Sequence, residues 1–276
     1  MLYHLAENDY ERVRPVFEGM DDHLAVNSII TGTTPAIIYV DHPARPKAAL
    51  TWTKHRFYLA GDAGNNAFND ALGRLFTTQL CPRAIAAGMR GFVLYYSPGS
   101  WEDRIDVILK NKFPTKHLRQ LWAVSELERD WRPLMPAGFS MRRVDSDLLA
   151  KAGLENRATL IAEMQSERAS VEEFLSKSFG FCMLHGEEIA GWCLSEYNSE
   201  NGCEVGVETV ETYRRQGIAT LTTLALIEHA LAQGMARIGW HAWAGNEGSI
   251  ATANRIGFEK VTDYPVFYVR LEEAEE

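Results

Sequence analysis

The fold is decided by the stretch Val207-Glu208-Thr209-Val210-Glu211-Thr212-Tyr213-Arg214-Arg215-Gln216-Gly217-Ile218-Ala219-Thr220. A β-branched run passes through a turn with two arginines and a glycine into an apolar helix, predicted over Ile218 to Gln233. The start of a helix leaves about four backbone N–H groups without intrahelical partners, at the positive end of the dipole. Gly217 lets a ligand approach the backbone, and Arg214 and Arg215 can bond phosphate oxygens. The stretch therefore predicts an anion site between a strand and a helix.

The segments on either side of this stretch predict an α+β domain. The predicted strands are Phe139–Val144, Phe181–Leu184, Ile189–Ser195, Cys203–Thr209, Ala236–His241 and Val266–Leu271. Asp145 and Ser170, the latter with Glu173 three residues on, are placed to begin two helices before the hairpin. A further helix is predicted from Ser249 to Arg255. This order of elements indicates strands and helices packed in layers.

A chain break is predicted at Trp131–Gly138, which holds two prolines and one glycine. It separates an N-terminal α/β domain, residues 1–135, from a second domain, residues 139–276. The first half has short apolar runs typical of strands, and a helix is predicted from Asn65 to Phe76. Gly61–Asn66 lacks the spacing of a phosphate loop and is interpreted as an ordinary strand-to-helix turn.

Composition excludes several classes of protein. The 276 residues are 46% hydrophobic and 24% charged, and no apolar run approaches the ~20 residues of a membrane span. The N-terminus has no signal-like segment, so a soluble, unexported protein is expected. Its 28 basic and 37 acidic residues argue against a basic nucleic-acid-binding surface. The four cysteines lack metal or disulfide spacing and suit a cytoplasmic core.

The negative charge is unevenly distributed along the chain. Residues 1–138 have 16 basic and 15 acidic side chains, whereas residues 139–276 have 12 and 22. Four of these acids end the sequence: Glu272, Glu273, Glu275 and Glu276. An acidic half with one local basic turn favours an anionic ligand at that turn and a cationic second ligand drawn by the surrounding field.

Two motifs give the second half a specific resemblance. Arg214-x-x-Gly217-x-Ala219, then Asn246-x-x-Ser249 and Arg255-Ile256-Gly257-Phe258, resemble the signatures of the GNAT acetyltransferase superfamily over roughly Phe139 to Leu271. The whole chain is similar to a bacterial subgroup with an N-terminal α/β region. The resemblance implies a mixed, mostly antiparallel sheet flanked by helices, preceded by a domain that is itself a degenerate GNAT-like half.

The resemblance also implies acetyl-CoA as the acetyl donor and no metal. The residues that it assigns to the coenzyme are Val207, Thr209, Arg214, Arg215, Gln216, Gly217, Ile218, Ala219, Thr220, Asn246 and Ser249. The acceptor is then an amine, which must lose a proton before it attacks the thioester.

The candidate bases are Glu204 and, second, Glu208, which share one face of a strand by alternation, although a bulge would change that face. Either residue would otherwise be a solvated strand position. Family members often have a tyrosine that acts as the general acid at the position where this chain has Ala253. The thiolate then leaves without an acid, or Tyr264 or His241 replaces the tyrosine; the sequence leaves these alternatives open.

Trp240, His241 and Trp243 end the predicted fifth strand of the motif region, where coenzyme and acceptor should meet. They are candidates for the acceptor pocket, with core packing as the alternative for each tryptophan.

Together these features predict acetyl transfer to a small cationic amine, with no nucleic-acid or membrane partner. The alternatives are a noncatalytic coenzyme-binding module and an acetyltransferase acting on protein N-termini or lysines. The N-terminal half is expected to cover part of the acceptor side or to mediate a homodimer.

Overall fold

Within residues 1–110, 112–127, 129–199 and 201–271, which the computed structural model describes, the chain forms twelve strands and nine α-helices. The strands are β1 (Tyr3–His4), β2 (Ile37–Val40), β3 (Ala48–Thr53), β4 (Arg56–Gly61), β5 (Gly91–Ser97), β6 (Thr115–Val124), β7 (Phe139–Arg143), β8 (Gly180–His185), β9 (Glu188–Glu196), β10 (Gly202–Thr209), β11 (Arg237–Trp243) and β12 (Glu259–Arg270). The α-helices are α1 (Leu24–Ile30), α2 (Asn66–Leu75), α3 (Cys81–Ala86), α4 (Ile105–Ile108), α5 (Ser146–Ala150), α6 (Arg157–Glu167), α7 (Val171–Lys177), α8 (Ile218–Ala232) and α9 (Glu247–Ile256). Shorter 3-10 or π segments are Glu7–Met20, Phe76–Leu80, Gly99–Arg104, Arg132–Leu134 and Glu211–Tyr213. The four terminal glutamates of the acidic tail lie outside the described residues.

The chain packs as two compact units. The first contains Met1–Leu118 and the segment from Tyr264 onward, and the second contains Arg119–Asp263. These bounds differ from the predicted domain ranges because two strands change unit: residues 119–124 of β6 pair with β11, and residues 266–270 of β12 pair with β5. The ranges 1–135 and 139–276, as segments that fold independently, stay a prediction.

In the first unit the strand order is β1-β2-β3-β4-β5-β12. β4 and β5 run parallel, while the pairs β1–β2, β2–β3, β3–β4 and β5–β12 are antiparallel. Helices α2 and α3 lie between β4 and β5 in the chain and pack on one sheet face in a core that includes Phe57, Phe68 and Phe92. The side chain of Asn65 accepts a hydrogen bond from the Phe68 N–H at 3.1 Å. The predicted strand-to-helix turn is confirmed.

In the second unit the order is β6-β11-β10-β9-β8-β7, with β10 and β11 parallel. Helices α8 and α9 pack on one face, in a core with Cys203, Leu224 and Ala253. Helices α6 and α7 pack on the other face against Trp192 and Leu194. This is the predicted α+β architecture of a mixed, mostly antiparallel sheet between helices.

The helix caps in this unit follow the sequence. The Asp145 side chain accepts a hydrogen bond from the Leu148 N–H at 2.9 Å, and Ser170 accepts one from the Glu173 N–H at 3.1 Å. The Glu173 carboxylate reaches back to the Ala169 N–H at 2.9 Å, one residue before the usual partner in a capping box.

The two parallel pairs differ in length. β4 and β5 are paired from Arg56 with Val93 to Ala60 with Ser97, which is nearly the full length of β4. β10 and β11 are paired only as far as Glu204 with Gly239, although both strands continue for several residues. A gap therefore opens between the carboxyl ends of β10 and β11.

Candidate active site

The start of α8 lies beside the carboxyl end of β10 and has no side-chain cap. The N-cap is Gly217, in the left-handed region with φ +83°, where an L side chain would be strained. A Cβ atom at Gly217 would meet nothing within 4 Å, so the glycine is required by its backbone angle rather than by crowding. The first N–H groups of α8 are thus left for a ligand or for water.

Tyr213 fixes the turn that precedes α8. Its hydroxyl donates to Glu188 Oε2 at 2.6 Å and lies 3.2 Å from His185 Nδ1, so the turn is tied to the β8–β9 hairpin. The hydrogen bond to Glu188 raises the pKa of Tyr213, because the neutral phenol is the form that donates to the carboxylate.

A cavity of about 340 Å³ lies between the start of α8 and one face of α9. Its residues from the α8 side are Thr209, Arg214, Arg215, Gly217, Ile218, Ala219 and Thr220, and those from α9 are Gly248, Ala251, Thr252 and Arg255. The Thr209 hydroxyl is buried and has no hydrogen-bond partner among the described residues.

Three arginines give this cavity its positive charge. Arg214 lies 3.8 Å from Glu211, whereas Arg215 and Arg255 form neither an ion pair nor a side-chain hydrogen bond within the described part of the chain. Free guanidinium groups, an uncapped helix start and an unsatisfied buried hydroxyl together suit the phosphate groups of a coenzyme.

Seven of the eleven residues assigned to the coenzyme line this cavity, and the other four do not. Val207 packs against the core, and the Gln216 amide donates to the Thr212 carbonyl at 3.3 Å. Asn246 caps α9 by accepting from the Ser249 N–H at 3.0 Å, and the Ser249 hydroxyl accepts from Trp240 Nε1 at 2.9 Å. In this structure these two residues support the start of α9.

Sequence reasoning assigned Asn246 and Ser249 of this region to the coenzyme and missed the four α9 residues that line the cavity. Gly248, Ala251, Thr252 and Arg255 occupy positions i, i+3, i+4 and i+7, which is one face of a helix. That spacing was available in the sequence, where a face of small residues ending in one arginine could have been recognised beside the anion site.

Glu204 and His241 meet at the vertex of the gap between β10 and β11. Glu204 is the last β10 residue paired with β11, and its Oε1 lies 3.3 Å from His241 Nε2, with both side chains about 10% exposed. Directly across on β9 is Glu196, also buried, whose carboxylate lies over Gly206: a Cβ there would come within 2.0 Å of Glu196 Oε1. Three ionisable side chains are therefore grouped in a buried setting.

Glu208 differs from Glu204 although the two share a strand face. It is exposed, and its Oε1 accepts from the adjacent Thr209 N–H at 3.2 Å. The structure thus brings Glu204, but not Glu208, together with His241.

The two tryptophans of β11 lie on opposite faces. Trp240 is a core residue, packed edge-on against Phe258. Trp243 lies on the His241 side, where the guanidinium carbon of Arg119 stands 4.9 Å from its ring centre and Arg119 Nη2 donates to the His241 carbonyl at 3.2 Å. The cation over Trp243 is therefore this chain's own arginine.

The structure also shows where the residues considered for the general acid lie. Ala253 is fully buried in the core, away from the cavity face of α9. Tyr264 belongs to the first unit, where its ring meets His23 edge-on at 4.8 Å. His241 is the one that lies beside Glu204.

In the part of the chain that the structure describes, none of the helices has both the length and the apolar composition that a membrane span requires. Likewise, that part of the chain has no group of three or more His, Cys, Asp or Glu side chains arranged to hold a metal ion.

Comparison with known proteins extends the resemblance to nearly the whole chain. Over 271 residues, 97% of this chain and 98% of the relative, it is 28% identical to the uncharacterized N-acetyltransferase YdfB of Bacillus subtilis strain 168. A GCN5-related N-acetyltransferase-like protein from Streptococcus suis has the same fold, with TM-score 0.69 and 23% identity over 95% of this chain and 99% of that one. A tandem GNAT protein from the clavulanic acid biosynthesis pathway matches with TM-score 0.58 and 14% identity, over 100% and 99%.

The family model for GNAT acetyltransferase matches residues 14–267, which include most of the first unit as well as the second. Members of this family generally use acetyl-CoA. The chain belongs to the GNAT acetyltransferase family and is an N-acetyltransferase.

Proposed function

We propose that the protein transfers the acetyl group of acetyl-CoA directly to the amine of a small cationic molecule bound beside Glu204. The observation that carries the proposal is the arginine-lined cavity at the uncapped start of α8, next to a gap between β10 and β11 whose vertex holds Glu204 and His241. One end of this arrangement suits phosphates, and the other suits a protonated amine.

The donor side rests on Arg214, Arg215 and the first N–H groups of α8, which would hold the diphosphate. Acetyl-CoA supplies the activated acyl group. The gap between β10 and β11 gives the coenzyme's arm a route toward Glu204, because the strands are no longer paired beyond that residue. Backbone N–H groups on the β11 side of β10 could then donate to the carbonyl oxygen as it becomes negative.

The acceptor side rests on two buried carboxyl groups. Glu204 and Glu196 are directly opposite each other on neighbouring strands, where a nearby cation would be favourable. A protonated amine is such a cation. Its attraction to this site is also supported by the excess of acids in residues 139–276.

In the proposed reaction Glu204 takes the proton of the bound ammonium, with His241 placed to share it. The neutral nitrogen forms the bond to the acyl carbon, the carbon–sulfur bond breaks, and the coenzyme leaves as its thiolate. The nitrogen of the new amide loses its second proton to the thiolate, and the proton held by Glu204 and His241 is released to solvent. No tyrosine is needed at position 253.

The partner and location form part of the same proposal. The acceptor is a small molecule rather than nucleic acid or membrane, and the four free, buried cysteines suit the reducing cytoplasm. The first unit keeps its parallel strands paired, and mediating a homodimer is its proposed role.

The test is release of CoA thiol with a panel of aliphatic polyamines, amino sugars and amino acid amides. Glu204→Gln should lower kcat by about 100-fold or more, in the range of general base catalysis, while acetyl-CoA affinity is unchanged. Glu208→Gln is the matched control and should retain nearly full activity. Tight acetyl-CoA binding without turnover of any amine, peptide N-terminus or lysine would favour the noncatalytic module, and turnover of peptides alone would favour protein acetylation.

A further inference from the structure

Arg255 is a basic side chain of the cavity that the two acetyltransferase motifs leave without a role. It is the last of four α9 residues that line the cavity, after Gly248, Ala251 and Thr252. Seven residues of α-helix separate Gly248 from Arg255, which corresponds to about 10 Å along the axis. The three small residues between the start of α9 and Arg255 leave the intervening surface open.

The fold itself does not use the Arg255 guanidinium. The side chain is exposed and has neither an ion pair nor a hydrogen bond among residues 1–110, 112–127, 129–199 and 201–271. The end of α9 is instead satisfied by Gly257, whose N–H lies 3.2 Å from the carbonyl oxygens of Ala253 and Asn254. Arg255 is thus available to a ligand.

The groups used so far account for two of the three phosphates of the coenzyme. CoA carries a diphosphate and, separately, a phosphomonoester on the 3′ carbon of its ribose. The diphosphate is matched by Arg214, Arg215 and the start of α8. The phosphomonoester is a dianion, and in an acidic half of the chain it needs its own local cation.

We propose that Arg255 binds the ribose 3′-phosphate and makes the protein discriminate CoA from 3′-dephospho-CoA. The proposal rests on the coenzyme site described under the proposed function. The planar guanidinium presents paired donors to phosphate oxygens, and Arg255 stands near the end of α9, a different element from the turn and helix start that serve the diphosphate.

The experiment is isothermal titration of CoA and of 3′-dephospho-CoA into three proteins: the wild type, Arg255→Gln, and Arg142→Gln. Arg142 is an exposed arginine of β7 in the same unit that does not line the cavity, so its loss removes the same charge. The wild type should bind CoA about tenfold more tightly than 3′-dephospho-CoA, as expected for one exposed charge-assisted contact. Arg255→Gln should abolish this preference by weakening CoA alone, and Arg142→Gln should preserve it.

Equal weakening of both ligands by Arg255→Gln would overturn the proposal, because the side chain would then serve the diphosphate or the helix. Equal affinity of the wild type for both ligands would overturn it as well. Neither result affects the proposed function, which fails instead if the wild type binds no CoA compound. An unchanged melting temperature of ligand-free Arg255→Gln verifies that the fold is intact.

Discussion

Replacing Arg215 by asparagine should make the protein more stable and its coenzyme binding weaker. Arg215 has φ +64°, in the left-handed region, where an ordinary L residue costs about 1–2 kcal/mol. Asparagine tolerates this region better, and Arg215 has no ion pair or hydrogen bond to lose within the described residues. Backbone strain at an exposed residue of the cavity is expected where selection acted on ligand binding rather than on folding stability.

The two effects have opposite signs and separate measurements. Relief of about half the strain, roughly 0.5–1 kcal/mol, should raise the melting temperature of the ligand-free protein by about 2 °C. Loss of one charge-assisted contact to phosphate, roughly 1.4 kcal/mol at an exposed position, should raise the Kd for acetyl-CoA about tenfold. Because the side chain is exposed, the difference in Kd should shrink at 0.5 M salt.

Lys54 provides a matched control. It is an exposed basic residue at φ +50°, in the tight connection between β3 and β4 of the first unit. Lys54→Asn relieves the same kind of strain and removes the same charge, so it should leave the Kd for acetyl-CoA unchanged. The reasoning is refuted if Arg215→Asn lowers the melting temperature, or if its Kd matches that of Lys54→Asn.

Three other outcomes are expected. Tyr213→Phe should raise the Kd for acetyl-CoA several-fold with no change in acceptor KM, because the turn loses its 2.6 Å bond to Glu188; an unchanged Kd would contradict this. Titration should give one acetyl-CoA per chain, since β4 and β5 leave no gap, and a stoichiometry of two would be contrary evidence. Burial raises the pKa of Cys182 and Cys203 to about 12, so at pH 8 only about one thiol in 10⁴ is ionised; thiol reagents should label these residues only after unfolding, and labelling of the native protein within minutes would oppose the assignment.

The local parts of the fold could be predicted from the sequence. Helix α8 begins at Ile218 as the glycine before it indicates, and its observed end at Ala232 is one residue short of the prediction. The caps at Asp145 and Ser170 follow from residue type alone, since a short polar side chain needs only the next turn of helix. Alternation along β10 correctly placed Glu204 and Glu208 on one face.

The parts that depend on distant pairing could not be predicted in the same way. The β10–β11 pairing ends at Glu204 and Gly239, whereas β10 stays paired with β9 as far as Thr209 and β11 with β6 as far as Trp243. The first half of β6 lacks an apolar alternation and is largely exposed, so its residues give no local sign of a strand. His241 and Glu204 are 37 positions apart, and only the register of two parallel strands brings them together.

The two units repeat one connection, a strand followed by helix and then by a parallel strand, and the arginine-lined cavity lies at the connection in the second unit. In the first unit Asn65 caps α2 with its own side chain, so the helix start is satisfied internally. In the second unit Gly217 has no side chain, and the start of α8 stays available. A glycine in place of Asn65 would uncap α2. The strands β4 and β5 would still be paired, and the turn between β4 and α2 would still contain no arginine. An uncapped helix start, separated strands and local arginines coincide after β10, and this coincidence is the reason why we propose the coenzyme site in the second unit.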